Sequence, residues 1–185
     1  GDVINERTEG LKEREIIKDA FGKYVAEEVR DEVLSGRIPL DGEIKEVTVL
    51  FSDLRNFTPM TEENDPKLVV KIMNSYFKEM AEAIQDEGGL VLQFMGDEIY
   101  AVFGAPVFRP DHPARAFRAG LEMRRRLVQL NRDFVDKGWP KLSHGIGIHT
   151  GEALAANIGS PDRLSYLLVG DTVNLASRLQ SLTKK

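Results

Sequence analysis

The feature that most constrains the fold is an alternation of short strand-like runs with two long amphipathic helix patterns. Residues 47–51 form an apolar run rich in β-branched residues, and apolar residues at helical spacing follow over 69–84. Two more apolar stretches cover 90–94 and 98–103, and a second helix pattern covers 116–134. This order predicts a β-sheet on which both long helices pack.

Capping and turn signals place the ends of these elements. Asp65 is suited to cap the first long helix, with Pro66 at its first position, and Gly88-Gly89 ends that helix. Met95-Gly96-Asp97 predicts a hairpin whose tip holds Gly96 and Asp97.

The C-terminal part adds strands and one helix. Residues 142–149, 153–158 and 164–169 are interpreted as three strands, and a helix is predicted from Asp171, with that side chain as its N-cap. Together with the earlier elements this gives a βαββαβ order. The fold class predicted is α+β, a ferredoxin-like (palm-like) antiparallel sheet with helices packed on it.

Residues 1–40 differ from the rest and predict an N-terminal signalling or linker helix. Charged residues dominate this segment, and Pro39 with Asp41-Gly42 ends it. Two interpretations stay open, a seam for packing on another helix and a solvated helix lying on its own domain. The narrow apolar stripe consists of Ile4, Leu11, Ile17, Phe21, Val25, Val29 and Val33.

Composition excludes several classes of function. A length of 185 residues fits one domain, alone or with a short extension. A net charge of -5 argues against binding to a phosphate backbone, so no nucleic-acid partner is expected. Cysteine is absent, which excludes disulfides and thiolate metal sites, and no apolar stretch reaches membrane-spanning length. We expect a cytoplasmic protein, or the cytosolic domain of a membrane-anchored one.

Two aspartates are candidate metal ligands. Asp53 directly follows the first strand and Asp97 lies at the hairpin tip, so both carboxylates can emerge at the same end of neighbouring strands. Two carboxylate ligands suit Mg²⁺ and leave coordination positions for water and substrate phosphates. On spacing alone the competing interpretation, structural turn residues, is the more common one.

Four motifs together resemble those of the class III adenylate and guanylate cyclases of bacteria. They lie at 51–58 (FSDLRNFT), 94–104 (FMGDEIYAVFG), 145–152 (GIGIHTGE) and 169–178 (VGDTVNLASR). The resemblance covers roughly 44–185 and places a catalytic domain at 41–185. It implies a homodimer that converts a nucleoside triphosphate into a 3′,5′-cyclic monophosphate and pyrophosphate.

The resemblance assigns the metal and phosphate ligands by position. Asp53 and Asp97 match the family's metal-binding aspartates, with the Leu54 carbonyl as a further ligand of two Mg²⁺ or Mn²⁺ ions per site. Phe57 and Thr58 lead into a helix N-terminus whose backbone N–H groups can hold phosphate oxygens.

Asn174 and Arg178 match the pair that orients the ribose and stabilises charge on the α-phosphate. Their spacing of four residues puts both on one helix face. In the family this pair comes from the partner chain, so each site would combine aspartates of one protomer with Asn174 and Arg178 of the other. The competing interpretation of Arg178 is a surface ion pair. Arg163 is a further candidate phosphate ligand, or an exposed loop arginine without measurable effect.

The base-reading positions depart from the family pattern. Adenylate cyclases have a lysine where this chain has Gln93, and an Asp or Thr where it has Leu167. Gln93 carries a donor and an acceptor and suits either purine, while Leu167 forms no hydrogen bond. ATP is the first choice of substrate because the glutamate of guanylate cyclases is missing, and GTP is the alternative.

Two rival functions and one difference in length complete the interpretation. A degenerate cyclase-like dimerisation or nucleotide-binding module is the first rival, and a diguanylate cyclase, which would lack the Asn174 and Arg178 helix, is the second. Family domains continue beyond the last helix with strands that carry a triphosphate-binding lysine, so we expect a domain that lacks its C-terminal strands. An upstream sensor or membrane domain is expected in the parent protein.

Overall fold

The computed structural model describes residues 42–160 and 163–183, so the helix predicted for residues 1–40 and its apolar stripe lie outside the described residues. Nine elements follow one another along this part of the chain. They are β1 (Glu43–Leu54), α1 (Phe57–Glu63), α2 (Pro66–Asp86), β2 (Leu90–Met95), β3 (Glu98–Phe103), α3 (His112–Asp136), β4 (His144–Ser160), β5 (Arg163–Val169) and α4 (Asp171–Leu182).

The five strands form one antiparallel sheet in the order β2-β3-β1-β4-β5. Helices α2 and α3 pack on one face of it, which confirms the predicted α+β, ferredoxin-like fold. The predicted N-cap of α2 is also present, because the Asp65 carboxylate accepts a hydrogen bond from the Lys67 N–H at 2.8 Å. Among the described helices none is both long and apolar enough to cross a membrane.

The prediction of two separate strands over 142–149 and 153–158 was wrong, because β4 runs unbroken for 17 residues. Gly151 lies where we expected the break. In the structure it pairs with Val47, and pairing continues on both sides of it from Glu43 to Leu54 of β1. A glycine within a strand need not end it when the neighbouring strand supplies continuous backbone partners.

The two faces of β1 enter different cores. Leu50 and Leu54 belong to a core formed with α2 and α3, whereas Val47, Val49 and Phe51 belong to a second core that includes Ala176 of α4. Odd-numbered positions of β1 therefore face α4. Asp53 has the same parity, so its side chain lies on the α4 side of the sheet.

Helix α4 lies directly on a row of glycines in β4, which we call the glycine row: Gly145, Gly147 and Gly151. A Cβ atom at Gly147 would overlap the backbone of α4 at Ala176 and Gln180, and one at Gly151 would overlap the Thr172 side chain. The sheet can approach the helix this closely only where it has no side chains.

The predicted N-cap of α4 was wrong. Asp171 is already the first residue of the helix, and Gly170, with a φ of 142°, occupies the N-cap position without a side-chain hydrogen bond. The Thr172 hydroxyl instead donates to the carbonyl oxygen of Glu152 at 2.8 Å. This bond fixes the start of α4 to β4, and the backbone conformation of Gly170 allows the sharp turn out of β5.

Gly147→Ala should therefore displace α4. We expect a loss of about 1 to 3 kcal/mol in the free energy of unfolding, because the added methyl meets helix backbone that cannot rotate away. Chemical denaturation of the two proteins measures the difference.

The matched control is Gly120→Ala in α3, where the new methyl would lie 3.3 Å from the flexible end of Ile148 and helix propensity improves. A loss in the control as large as that at Gly147 would contradict this account of the glycine row.

Candidate active site

Strand pairing brings the two predicted metal-binding aspartates together. Asp53 is opposite Glu98 in the β1–β3 register, so Asp97, in the tight turn before Glu98, adjoins it. The Leu54 N–H also donates to the backbone oxygen of Asp97 at 3.4 Å. The expectation that both carboxylates emerge at the same end of neighbouring strands is confirmed.

The electrostatics of this pair favour a cation. Burial, together with a hydrogen bond to Asp53 and the negative charge of Asp53, raises the pKa of Asp97 to about 6. Two carboxylates this close to each other are a donor set that a divalent ion would satisfy. The residues present therefore fit Mg²⁺ or Mn²⁺.

A metal ion held by this pair would take most of its ligands from outside the protein. No cluster of three or more His, Cys, Asp or Glu side chains suited to an ion is found in residues 42–160 and 163–183. Asp53 and Asp97, with the backbone of Leu54 between them, would leave most coordination positions to water and substrate oxygens. This is the usual pattern for Mg²⁺ that acts on phosphates.

A pocket of about 460 Å³ surrounds the aspartates. Its wall continues from Asp53 through the loop into the start of α1 and includes Phe57 and Thr58, the predicted phosphate ligands. Asn56 precedes that helix in a left-handed conformation, with a φ of 54°. The pocket thus joins the carboxylates to the first turn of α1, while contact of Phe57 and Thr58 with phosphate stays a prediction.

Asn174 and Arg178 lie on the outer side of α4. Both side chains are exposed, whereas Thr172, Ala176 and Gln180 of the same helix are buried. Neither lines the pocket around Asp53. The surface ion pair considered for Arg178 stays a prediction.

The base-reading candidates occupy the two edge strands. Gln93 of β2 is exposed and pairs with Tyr100 of β3. Leu167 of β5 is half-buried, between two residues of the second core, Tyr166 and Leu168. Arg163 is the first residue of β5 and pairs with Ser160. Their contact with a base or a phosphate stays a prediction.

Sequence reasoning missed a polar network on the α2 side of the sheet, beside the end of β1 that carries Asp53. The Tyr76 hydroxyl lies 3.2 Å from Ser52 Oγ and 2.8 Å from Nδ1 of His144. Burial, aided by nearby arginine charges, lowers the pKa of His144 to about 4, so the ring is neutral at pH 7. Tyr76 gave only an apolar helix signal in the sequence, and its hydroxyl was not considered.

Sequence reasoning also missed Arg55, although it directly follows the Asp53-Leu54 pair. Its Nη1 lies 4.0 Å from Oδ2 of Asp53, and its Nη2 donates to the Gln180 carbonyl oxygen at 3.1 Å. Arg55 thus places its guanidinium beside the Asp53 carboxylate.

Comparison with known proteins identifies the family. The family described as "Adenylate and Guanylate cyclase catalytic domain" matches residues 41–185. The chain belongs to this family. Adenylate cyclase 1 of Rhizobium meliloti (strain 1021) is 37% identical over 140 residues, which is 76% of this chain and 21% of that protein.

Solved structures of both substrate types are similar to this cyclase domain. A guanylyl cyclase crystal structure is 43% identical with a TM-score of 0.74, covering 76% of this chain and 72% of that one. The adenylyl cyclase CyaB from P. aeruginosa is 33% identical with a TM-score of 0.73, covering 76% and 74%. The chain spans 21% of the length of adenylate cyclase 1 and up to 32% of that of other curated relatives that it matches.

The raised pKa of Asp97 predicts a pH-dependent stability of the metal-free domain. A protonated Asp97 favours the fold, so its contribution is complete below the unfolded pKa of 3.8 and is lost as pH rises through about 6. Above pH 6, Asp97→Asn should melt at a higher temperature than the wild type, and the difference should vanish near pH 3.8. Thermal unfolding in EDTA measures both.

Added Mn²⁺ should raise the melting temperature of the wild type and leave that of Asp97→Asn nearly unchanged. Asp136→Asn, at an exposed position of α3, is the control and should follow the wild type in both experiments. Equal effects of Mn²⁺ on all three proteins would contradict a metal site at Asp97.

Proposed function

We propose that this cyclase domain converts ATP into 3′,5′-cyclic AMP and pyrophosphate. The ribose 3′-oxygen forms a bond to the α-phosphorus, the bond from that phosphorus to the β-phosphate bridge breaks, and the 3′-hydroxyl proton passes to solvent. The observation that carries the proposal is the Asp53 and Asp97 pair, two crowded carboxylates at one end of the sheet beside an open pocket.

Each residue of the site has a defined task in this reaction. Asp53 and Asp97 hold two divalent ions, with help from the Leu54 carbonyl. When bound, Mg²⁺ or Mn²⁺ supplies positive charge that eases ionisation of the 3′-hydroxyl and neutralises the triphosphate. Asn174 orients the ribose, and Arg178 neutralises charge that develops on the α-phosphate.

The sites are shared between two chains. Asn174 and Arg178 point outward from α4 and do not line the pocket of their own chain, which favours a partner's pocket as the place where they act. In a two-fold dimer each chain gives aspartates to one site and the outer face of α4 to the other.

GTP is the second candidate substrate. The solved guanylyl cyclase is 43% identical, and Gln93 presents both a donor and an acceptor, which suits either purine. A non-catalytic module is the third possibility, and it offers no physical reason to keep Asp53, Asp97, Asn174 and Arg178 together.

Residues 1–40 are proposed to link this domain to an upstream sensor or membrane segment on the cytosolic side. The curated relatives are three to five times longer than the matched part, which supports a role as one domain among several.

The direct test is the release of cyclic AMP from ATP and cyclic GMP from GTP, with Mg²⁺ and with Mn²⁺. We expect cyclic AMP to be the main product, and Asp97→Ala to lower the rate by about 100-fold or more, because a metal ligand is lost. Asp136→Ala is the control and should keep the wild-type rate. Faster turnover of GTP would make this a guanylate cyclase, and no product from a verified dimer would contradict catalysis.

Complementation tests the shared site. Asp53→Ala and Arg178→Ala should each lose activity alone. Mixed in equal amounts they should regain about one quarter of the wild-type rate, because about half of the dimers are mixed and each mixed dimer holds one intact site. If a purified mixed dimer has no cyclase activity, the active site is not built from residues of both chains.

A further inference from the structure

Arg55 joins three parts of the fold. It lies in the loop between β1 and α1, and its side chain is 16% exposed. Its backbone N–H donates to the Ser143 carbonyl oxygen at 2.8 Å, and its guanidinium contacts the Thr183 hydroxyl as well as the Gln180 carbonyl. One arginine therefore connects the loop after Asp53 with the segment before β4 and the C-terminal end of α4.

The guanidinium occupies a space that Gly145 provides. A Cβ atom at Gly145 would overlap Nη2 of Arg55 and the Thr183 hydroxyl oxygen. Gly145 is also the strand partner of Asp53. Gly145 thus leaves room for the Arg55 side chain, whereas Gly147 and Gly151 leave room for α4.

The two guanidinium nitrogens face in different directions. Nη2 meets backbone oxygen at the C-terminal end of α4, where the helix dipole favours a positive charge. Nη1 is buried, has no hydrogen-bond partner in the described part of the chain, and lies 4.0 Å from Oδ2 of Asp53. The side chain therefore spans from the helix end to the metal-binding carboxylate.

Hydrogen bonds hold both ends of helix α4, and the exposed residues Asn174 and Arg178 lie between these two ends. The Thr172 hydroxyl fixes its first turn to β4, and Arg55 fixes its last turn. Asn174 and Arg178 lie between these points. A shift of the C-terminal end of α4 would therefore move Arg178, which is two residues from Gln180.

We propose that Arg55 is a positioning residue that couples the two active sites of the dimer. In the site of its own chain its positive charge lies beside Asp53 and competes with a bound cation, and in the site of the partner chain it sets the position of Asn174 and Arg178. The inference rests on the shared-site dimer of the proposed function.

The test uses a mixed dimer with a single intact site. An Arg178→Ala chain gives the aspartates, and an Asp53→Ala chain gives α4. Arg55→Met, which keeps the length of the stem and removes the guanidinium, is placed in one chain or the other. Activity of the mixed dimer with Arg55 intact in both chains establishes the proposed function before Arg55 is tested.

With Arg55→Met in the chain that gives α4, we expect the maximal rate to fall by about 10-fold or more, because a small displacement of a catalytic group is costly. The Mn²⁺ concentration for half-maximal rate should stay unchanged, since the aspartates belong to the other chain.

With Arg55→Met in the chain that gives the aspartates, that Mn²⁺ concentration should fall, because a positive charge beside Asp53 is removed. Arg132→Met, at an exposed position of α3, is the matched control and should change neither quantity.

Hydrogen exchange gives a readout that does not depend on activity. The backbone amides of residues 181–183 should exchange faster in Arg55→Met, while those of α2 stay protected. If Arg55→Met does not fold, Thr183→Val removes one contact of Arg55 at the C-terminal end of α4. This variant should also lower the maximal rate at the partner's site, but by a smaller factor. An intact rate with the substitution in the α4-giving chain, or an effect confined to the aspartate-giving chain, would overturn the coupling.

Discussion

The close packing of α4 on the glycine row is the constraint on which the rest of the structure depends. Gly147 and Gly151 let helix backbone lie against the sheet, and Gly145 leaves room for the Arg55 guanidinium. The glycine row lies on the same face of the sheet as Asp53. The same strand segment without side chains therefore contacts both α4 and the end of β1 that carries Asp53. Steric fit therefore explains the three glycines of the GIGIHTGE motif.

The opposite face of the sheet has a different role. Helices α2 and α3 bury the large apolar core there, which secures a rigid platform while the α4 side carries the functional groups. Crowding of Asp53 and Asp97 costs free energy in the absence of a cation, and a well-packed core can tolerate such a local cost. The larger core therefore lies on the face opposite the candidate site residues, while a second, smaller core shares the α4 face with them.

Much of the fold could be predicted because its signals are local. Asp65-Pro66 marks a helix start and Gly96-Asp97 marks a hairpin, and both are present. The break predicted in β4 was wrong because residues far apart in sequence decide it: β1 pairs with β4 on both sides of Gly151, so the strand continues through that glycine. Arg55 was missed for the same reason, since its contacts on α4 lie 125 and 128 residues away in sequence. The assignment of Asp53 and Asp97 came from motifs, and the strand register adds the reason that they meet.

The outward direction of Asn174 and Arg178 has a mechanical consequence. The first turn of helix α4 is bonded to β4 and its last turn to Arg55 in the loop after β1, and both contacts oppose a swing of the helix relative to its own sheet. In a site built from two chains, the remaining freedom is the rotation of one rigid chain against the other. Control of such a pair would require only a change in the angle between them, applied from outside the domain, with no rearrangement inside either chain.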